Sequence, residues 1–189
     1  LSGQVRQVRG VLAMAAKAKE AGFRRLFVPA ANAAEGAVIQ GLEVYPVQDV
    51  PKLAAHLLGK TPISPAAATP MSPAYSEFLD FADVKGQSEV KRALEIAASG
   101  SHNILLLGPP GSGKSMLARR LPSILPEMTF TEALETTMIH SIAGQLPQGA
   151  ALLGQRPFRS PHHTVSSVGL SGGGTAPRPG EISLAHHGV

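Results

Sequence analysis

Gly108, Pro109, Pro110, Gly111, Ser112, Gly113, Lys114 and Ser115 fit the pattern G-x-x-x-x-G-K-[ST] in full, behind an apolar run at 104–107 and ahead of residues that read as helix. Glycines at 108, 111 and 113 let the main chain wrap closely round phosphate oxygens, with successive N–H groups turned inward. The N-terminus of the following helix adds partial positive charge. At that spacing Lys114 reaches the β- and γ-phosphates and the Ser115 hydroxyl serves a Mg²⁺ ion. Lys114 is therefore the candidate catalytic residue, all eight residues are candidates for ATP binding, Ser115 is the candidate metal ligand, and the cofactors expected are ATP and Mg²⁺. The alternative, a glycine-rich turn that binds nothing, is disfavoured by the strand, loop, helix order around it.

The elements that must carry this loop have room to do so. The chain has 189 residues, 43% of them hydrophobic, enough for one full domain or two modest ones with a real core. It contains no cysteine, which excludes a disulfide framework, a thiolate metal site and a cysteine nucleophile, and fits a reducing, cytoplasmic setting. No apolar run approaches the roughly 20 residues of a spanning helix, and no signal peptide opens the chain, so no membrane partner is expected. Leu1 in place of an initiator Met, and the apolar phrase at 181–189, read as cuts through a longer protein.

The net charge of +4 is unevenly placed. Residues 1–60 hold eight Lys/Arg against four Asp/Glu, whereas residues 61–189 hold nine of each. The basic excess of the first segment could mark a nucleic-acid surface or simply a solvated face.

In chain order, residues 11–20 are alanine-rich and helical in propensity, with Gly22 as the C-terminal stop. Residues 23–28 read as a strand that Pro29 ends. Asn32, with Glu35 three residues on, resembles a capping box opening a short helix up to Gly41. A second strand at 43–47 is followed by Asp49 as N-cap, Pro51 in the first turn and a helix to Gly59. Residues 60–75 carry prolines among Ala, Ser and Thr and read as a semi-extended linker. A helix over 88–98 has Val90, Ala93, Leu94 and Ala97 at one-face spacing, with Gly100 as its stop. After the loop, a helix over 115–121 is limited by Pro122. Thr129 and Glu132 form a capping box opening a helix to about Ile142, with Leu134 and Met138 on one face.

Residues 144–181 are rich in Gly, Pro, His and Arg. For His162-His163 three readings stay open: a metal site, contacts to a nucleic-acid backbone beside Arg156, Arg159 and Arg178, or loop histidines bonded to a neighbouring loop or subunit. Adjacent histidines point in different directions on most backbones, which weighs against a shared metal. His186-His187 carries a weaker signal still.

The first segment, with G-x-V-x-x-V-R-G-V-L at 3–12, Gly22, Val28-Pro29, Asn32 and Val44-Tyr45-Pro46-Val47, resembles the closing portion of the Lon-protease-type domain. Aligned through Gly10, Gly22 and Pro29, Met14 falls where that family carries its catalytic lysine. A thioether cannot take a proton from serine, and Lys17 and Lys19 read as solvated charges, so the resemblance implies the fold without the peptidase. Asp83-Val84-Lys85-Gly86-Gln87 before a helix resembles the adenine-side segment of AAA+ ATPases, which implies that Val84, Gly86 and Gln87 cover the base.

SHNILLLGPPGSGKSMLARRLPSILP, PFRSPHHT and SGGGTAPRPGEISLAHHGV together resemble the magnesium-chelatase-like AAA+ proteins of the bacterial competence-associated group, which join a Lon-type domain to an AAA+ module. His187 departs from that group, which carries asparagine there. The resemblance implies an α/β fold: a truncated P-loop AAA+ parallel-sheet module over 76–189, preceded at 1–59 by the C-terminal part of a Lon-protease-like α+β domain. It implies a homo-oligomeric, hexameric ring ATPase working on DNA, by branch migration in natural transformation. The acidic Walker B pair, the sensors and the arginine fingers are expected beyond Val189, so the chain as cut is expected to bind nucleotide weakly without turnover. Alternatives are a chelatase-type ATPase remodelling a protein partner, and an ATP-switched interaction module. A small-molecule P-loop kinase is disfavoured by residues 83–87.

Overall fold

The computed structural model describes residues 3–67, 79–147, 150–175 and 177–189. The chain is mixed α/β, with a small parallel sheet. Helix α1 (Val11–Glu20) ends in a Schellman motif: Phe23 N–H donates to Ala18 O at 3.0 Å and Gly22 N–H to Lys19 O at 2.9 Å. Strands β1 (Arg25–Pro29) and β2 (Glu43–Val47) run parallel, with Arg25 opposite Glu43 and Pro29 opposite Val47. Between them lie a 3-10 turn (Ala30–Asn32) and the short helix α2 (Ala33–Gly36).

Asn32 does not cap α2 with its side chain. It is buried, with Oδ1 accepting from Val8 N at 3.0 Å and Nδ2 donating to Val8 O at 2.9 Å and Glu35 Oε2 at 3.0 Å. A buried amide with two main-chain partners outweighs one solvated cap. Helix α3 (Val50–Leu57) starts as expected, with Asp49 Oδ1 accepting from Lys52 N at 2.8 Å and proline in the first turn. Residues 61–67 of the expected linker are tied down, Ala66 N to Val44 O at 2.7 Å and Ile63 N to His56 Nδ1 at 2.9 Å. Residues 68–75 of it lie outside the described residues.

A 3-10 turn (Phe81–Asp83) leads to α4 (Ser88–Ser99), which buries Leu94, Ala97 and Ala98; Ala93, expected inside, is exposed. Helix α5 (Lys114–Arg120) passes into a 3-10 turn (Leu121–Ile124) that holds Pro122. The Thr129/Glu132 capping box forms and opens α6 (Phe130–Ala143). Helix α7 (Ser167–Ser171), a two-residue antiparallel pair β3 (Gly172–Gly173) and β4 (Arg178–Pro179), and α8 (Glu181–Leu184) complete the chain.

Two clusters fill the interior. In the larger, Val11, Leu12, Val28, Ile39, Leu42 and Val44 pack with Met128, Ala133, Ala151 and Leu152, so the first segment shares a core with α6 and the loop after it. Leu134 and Met138 pack against this cluster. In the smaller, Phe81, Val84, Leu94 and Leu117 meet, joining α4 to α5. Each fully buried leucine contributes about 1.5–3 kcal/mol.

Residues 104–107 are not a strand. No described residue forms a ladder with them, and Leu105 and Leu107 are 79% and 84% exposed. A parallel strand of this apolar type exists only between partners that complete its hydrogen bonds and cover both its faces. No helix among the described residues is long and apolar enough to cross a membrane.

Candidate nucleotide-binding loop

Leu117 positions the loop 108–115. It is 2% exposed in the smaller cluster, its N–H accepted by Gly113 O at 2.9 Å, and it seats the first turn of α5 against Phe81, Val84 and Leu94. Gly113, the N-cap of α5, takes φ +85°; a Cβ there would stand 3.3 Å from Gln87 Nε2 and from Met116 Cε. Gly111 takes φ +79° with nothing within 4 Å of an added Cβ, which leaves that flank open.

The Lys114 ammonium is folded into the loop. Its Nζ donates to Gly108 O at 2.8 Å, Pro109 O at 2.7 Å and Ser112 Oγ at 3.3 Å. Ser112 N–H closes the turn on Pro109 O at 3.3 Å. Pro110 and Ser115 are exposed, the latter directly after Lys114 on the first turn of α5. All eight residues of the motif stand together because the chain itself joins them.

The adenine-side residues lie at different depths. Val84 is buried against Leu94 and Leu117, and its carbonyl accepts Lys91 Nζ. Gly86 and Gln87 are exposed, both with positive φ, +70° and +53°. Gln87 Nε2 donates to Ser112 O at 3.4 Å, which brings this segment to the phosphate-type loop. A strap that sequence reasoning missed fixes the approach. Arg120 Nε donates to Asp80 O at 2.9 Å and its Nη2 lies 3.8 Å from Asp83 Oδ2, while Phe81 N–H donates to Ser123 Oγ at 3.2 Å. A basic residue six positions after the lysine was the only signal, and it reads equally as a solvated charge.

Two of the three arginines of the 144–181 stretch, Arg156 and Arg159, are engaged within the chain. Arg156 pairs with Glu132 at 3.2 Å and donates to Pro126 O at 2.6 Å and His187 O at 2.8 Å. The Thr129 N–H, and after it the Arg156 charge, hold the Glu132 carboxyl below the usual range. Arg159 forms a fork with Glu181, at 2.6 Å and 2.8 Å, and its hydrogen bonds keep Glu181 low. Arg178 is exposed. His162 and His163 are exposed with ring centroids 4.1 Å apart, and His162 Nδ1 lies 2.7 Å from Thr164 Oγ1. No acidic residue joins them in a metal-like cluster among the described residues. On α1, Met14 is exposed and Lys17 pairs with Glu20 at 2.9 Å, as a solvated face would.

Comparison with known proteins gives a consistent result. Residues 80–189 match the family described as magnesium chelatase, subunit ChlI. The whole chain is 44% identical, over 193 residues, to the competence protein ComM of Haemophilus influenzae, covering 38% of that protein. It is 42% identical, over 190 residues, to the uncharacterized protein YifB of Escherichia coli, covering 37% of it. A shorter likeness, 35% over 68 residues, joins 34% of the chain to 11% of the archaeal Lon protease of Methanothermobacter thermautotrophicus. The chain thus spans under two fifths of the length of these relatives.

Proposed function

The chain belongs to the magnesium chelatase, subunit ChlI, family, of AAA+ ATPase type, and from that membership we propose that it supplies the nucleotide-binding part of an ATP-driven ring motor that works on DNA. The observation that carries the nucleotide reading is the Lys114 ammonium held by two loop carbonyls, Gly108 O and Pro109 O, at 2.8 and 2.7 Å. Those contacts hold a cation inside a glycine-rich loop whose flank at Gly111 is open, and a polyphosphate is the anion that such a loop suits. ATP bound with Mg²⁺ supplies the γ-phosphoryl group whose transfer to water releases the free energy.

The residues of the chain bind and orient. Lys114 leaves its carbonyl partners for the β- and γ-phosphate oxygens. Pro109 and Pro110 have no N–H, so within 108–113 the glycine N–H groups of 111 and 113 are the donors offered to the phosphates, and the exposed Ser115 hydroxyl would be the metal ligand. Gly86 and Gln87 stand beside the loop on the adenine side. Val84 supports them from the smaller cluster, its side chain packed on Leu117.

The competence role in the name of the H. influenzae protein, 44% identical over the chain, favours a DNA client, and a hexameric ring with branch-migration activity is the form proposed for the whole protein. A second reading, a protein client, has one observation in its favour: Arg156 and Arg159 spend their guanidinium groups on Glu132 and Glu181. The experiment is the ATPase rate of the whole protein with and without forked DNA, with Lys114→Ala as control. Stimulation by DNA that the control abolishes supports the motor on DNA. A Lys114-dependent rate indifferent to DNA moves the proposal to a protein client, and a rate unchanged in Lys114→Ala overturns the site.

A further inference from the structure

Two adjacent histidines with the weakest signal in the sequence converge on a glutamate of another element. Glu135 lies on α6, and His186 and His187 follow α8. His187 Nε2 stands 2.6 Å from Glu135 Oε2, and His186 Nε2 stands 3.5 Å from the same oxygen. One nitrogen or oxygen from each of the three lies within 4.8 Å of the other two. The imidazole centroids are 4.0 Å apart, so neighbouring side chains that would diverge on an ordinary backbone turn to one side. The cause is visible in the main chain: His187 takes φ +57°, in the left-handed region. A non-glycine residue in that region costs about 1 kcal/mol or more and persists where the surroundings hold it.

The surroundings do hold it. Arg156 Nη1 donates to His187 O at 2.8 Å, Thr136 Oγ1 donates to His186 O at 3.3 Å, and Gly188 N–H donates to Ala185 O at 2.8 Å. The far nitrogen of His187, Nδ1, lies 3.7 Å from Glu132 Oε1, and Glu132 is itself fixed by Arg156 and by Thr129 N–H. At 3.7 Å that carboxylate is a charge neighbour of the ring, and closing to hydrogen-bond distance would make it the kind of partner that sets a ligating imidazole's tautomer in metal sites.

We propose that Glu135, His186 and His187 bind a borderline divalent transition-metal cation of the Zn²⁺ class. Two imidazole nitrogens and one carboxylate oxygen suit Zn²⁺, Co²⁺ or Ni²⁺, whereas Mg²⁺ and Ca²⁺ take oxygen sets. A tetrahedral ion with bonds of about 2.0–2.1 Å needs ligand atoms roughly 3.3 Å apart, within the span these atoms already occupy. On binding, the imidazole proton shared with Glu135 leaves to solvent and the ion takes its place between the same atoms. Three protein ligands leave a position open for water or an anion. The site is separate from the nucleotide loop and ties α6 to residues 186–187.

The test is a Co²⁺ titration of the protein followed by visible absorption, with Zn²⁺ as competitor. It is run on the natural sequence, on His187→Asn and Glu135→Gln, and on a control carrying His162→Asn and His163→Asn. Saturable binding at one ion per chain is expected in the natural sequence and the control, with at least a tenfold loss in each site variant. Zn²⁺ at about 100 times its Kd should also raise the melting temperature of the natural sequence by roughly 5–10 °C, and of neither site variant. Far-UV circular dichroism checks each fold. If His187→Asn unfolds, Glu135→Gln, which keeps the side-chain shape, decides the matter. The proposal is overturned if no saturable binding occurs, if binding survives both site variants, or if the control abolishes it. A metal-independent loss of melting temperature in the variants, with no metal effect in the natural sequence, would reduce the cluster to a hydrogen-bonded contact.

Discussion

The Glu35 carboxylate accepts the hydroxyl of Ser141, 106 residues away in the chain. Ser141 Oγ in turn accepts Gly10 N–H at 2.9 Å, and Glu35 Oε1 also accepts Leu12 N–H at 3.0 Å. One hydroxyl and one carboxylate therefore satisfy the N-terminal start of α1 and fasten it to α6. Replacing the serine removes the link without adding bulk. Ser141→Ala leaves Gly10 N–H without that acceptor inside the protein and is expected to cost about 1–3 kcal/mol, read as a lower urea midpoint at unchanged slope. A shift below a few tenths of a kcal/mol would mean that water replaces the hydroxyl and the fastening is not energetic.

The two leucine environments around the loop give opposite expectations. Leu117→Ala empties a site 2% exposed in the smaller cluster and should cost about 2–5 kcal/mol, with weaker nucleotide binding as α5 loosens. Leu105→Ala, at a position 79% exposed, should stay within about 0.5 kcal/mol. Chemical denaturation of both variants decides it, and equal losses would show that 104–107 is covered in solution.

His140 makes stability depend on pH. Its ring is buried, with Nε2 3.1 Å from Leu184 O, and burial holds its pKa below the ordinary 6.5 despite that bond. Below 6.5 the unfolded chain takes the proton more readily than the folded one, so stability is full above that value and falls as pH falls. The melting temperature should drop on acidification from neutral pH, and the drop should be smaller in His140→Gln. An identical pH profile for the two would refute this assignment.

Gly172→Ala tests the β3–β4 corner. Gly172 takes φ +89°, and a Cβ there would fall 2.6 Å from Arg178 O and 2.8 Å from Gly180 N. Both neighbours are main chain and must move, so a cost above about 1 kcal/mol is expected, with faster amide exchange across 172–180. Unchanged exchange there would show that the corner is not held in this conformation.

What the sequence determined by itself is what lies within one turn or one loop. The Thr129 capping box, the Asp49 cap, the stop of α1 at Gly22 and the grouping of 108–115 involve partners a few residues apart, and at these places no distant partner displaced the local one. What the tertiary structure decided involves partners far apart. Asn32 gave up its cap for the Val8 main chain, 24 residues away. Residues 104–107 formed no strand, since a strand is made by its neighbours and none among the described residues pairs with them. Arg156 and Arg159, legible as free charges for a phosphate backbone, found Glu132 and Glu181, 24 and 22 residues away. Glu135 met His186 and His187 because α6 packs against α8 and the chain turns left-handed at His187. Such pairs are chosen by how apolar faces bury one another, and the spacing of the paired residues in the sequence carries no record of that choice.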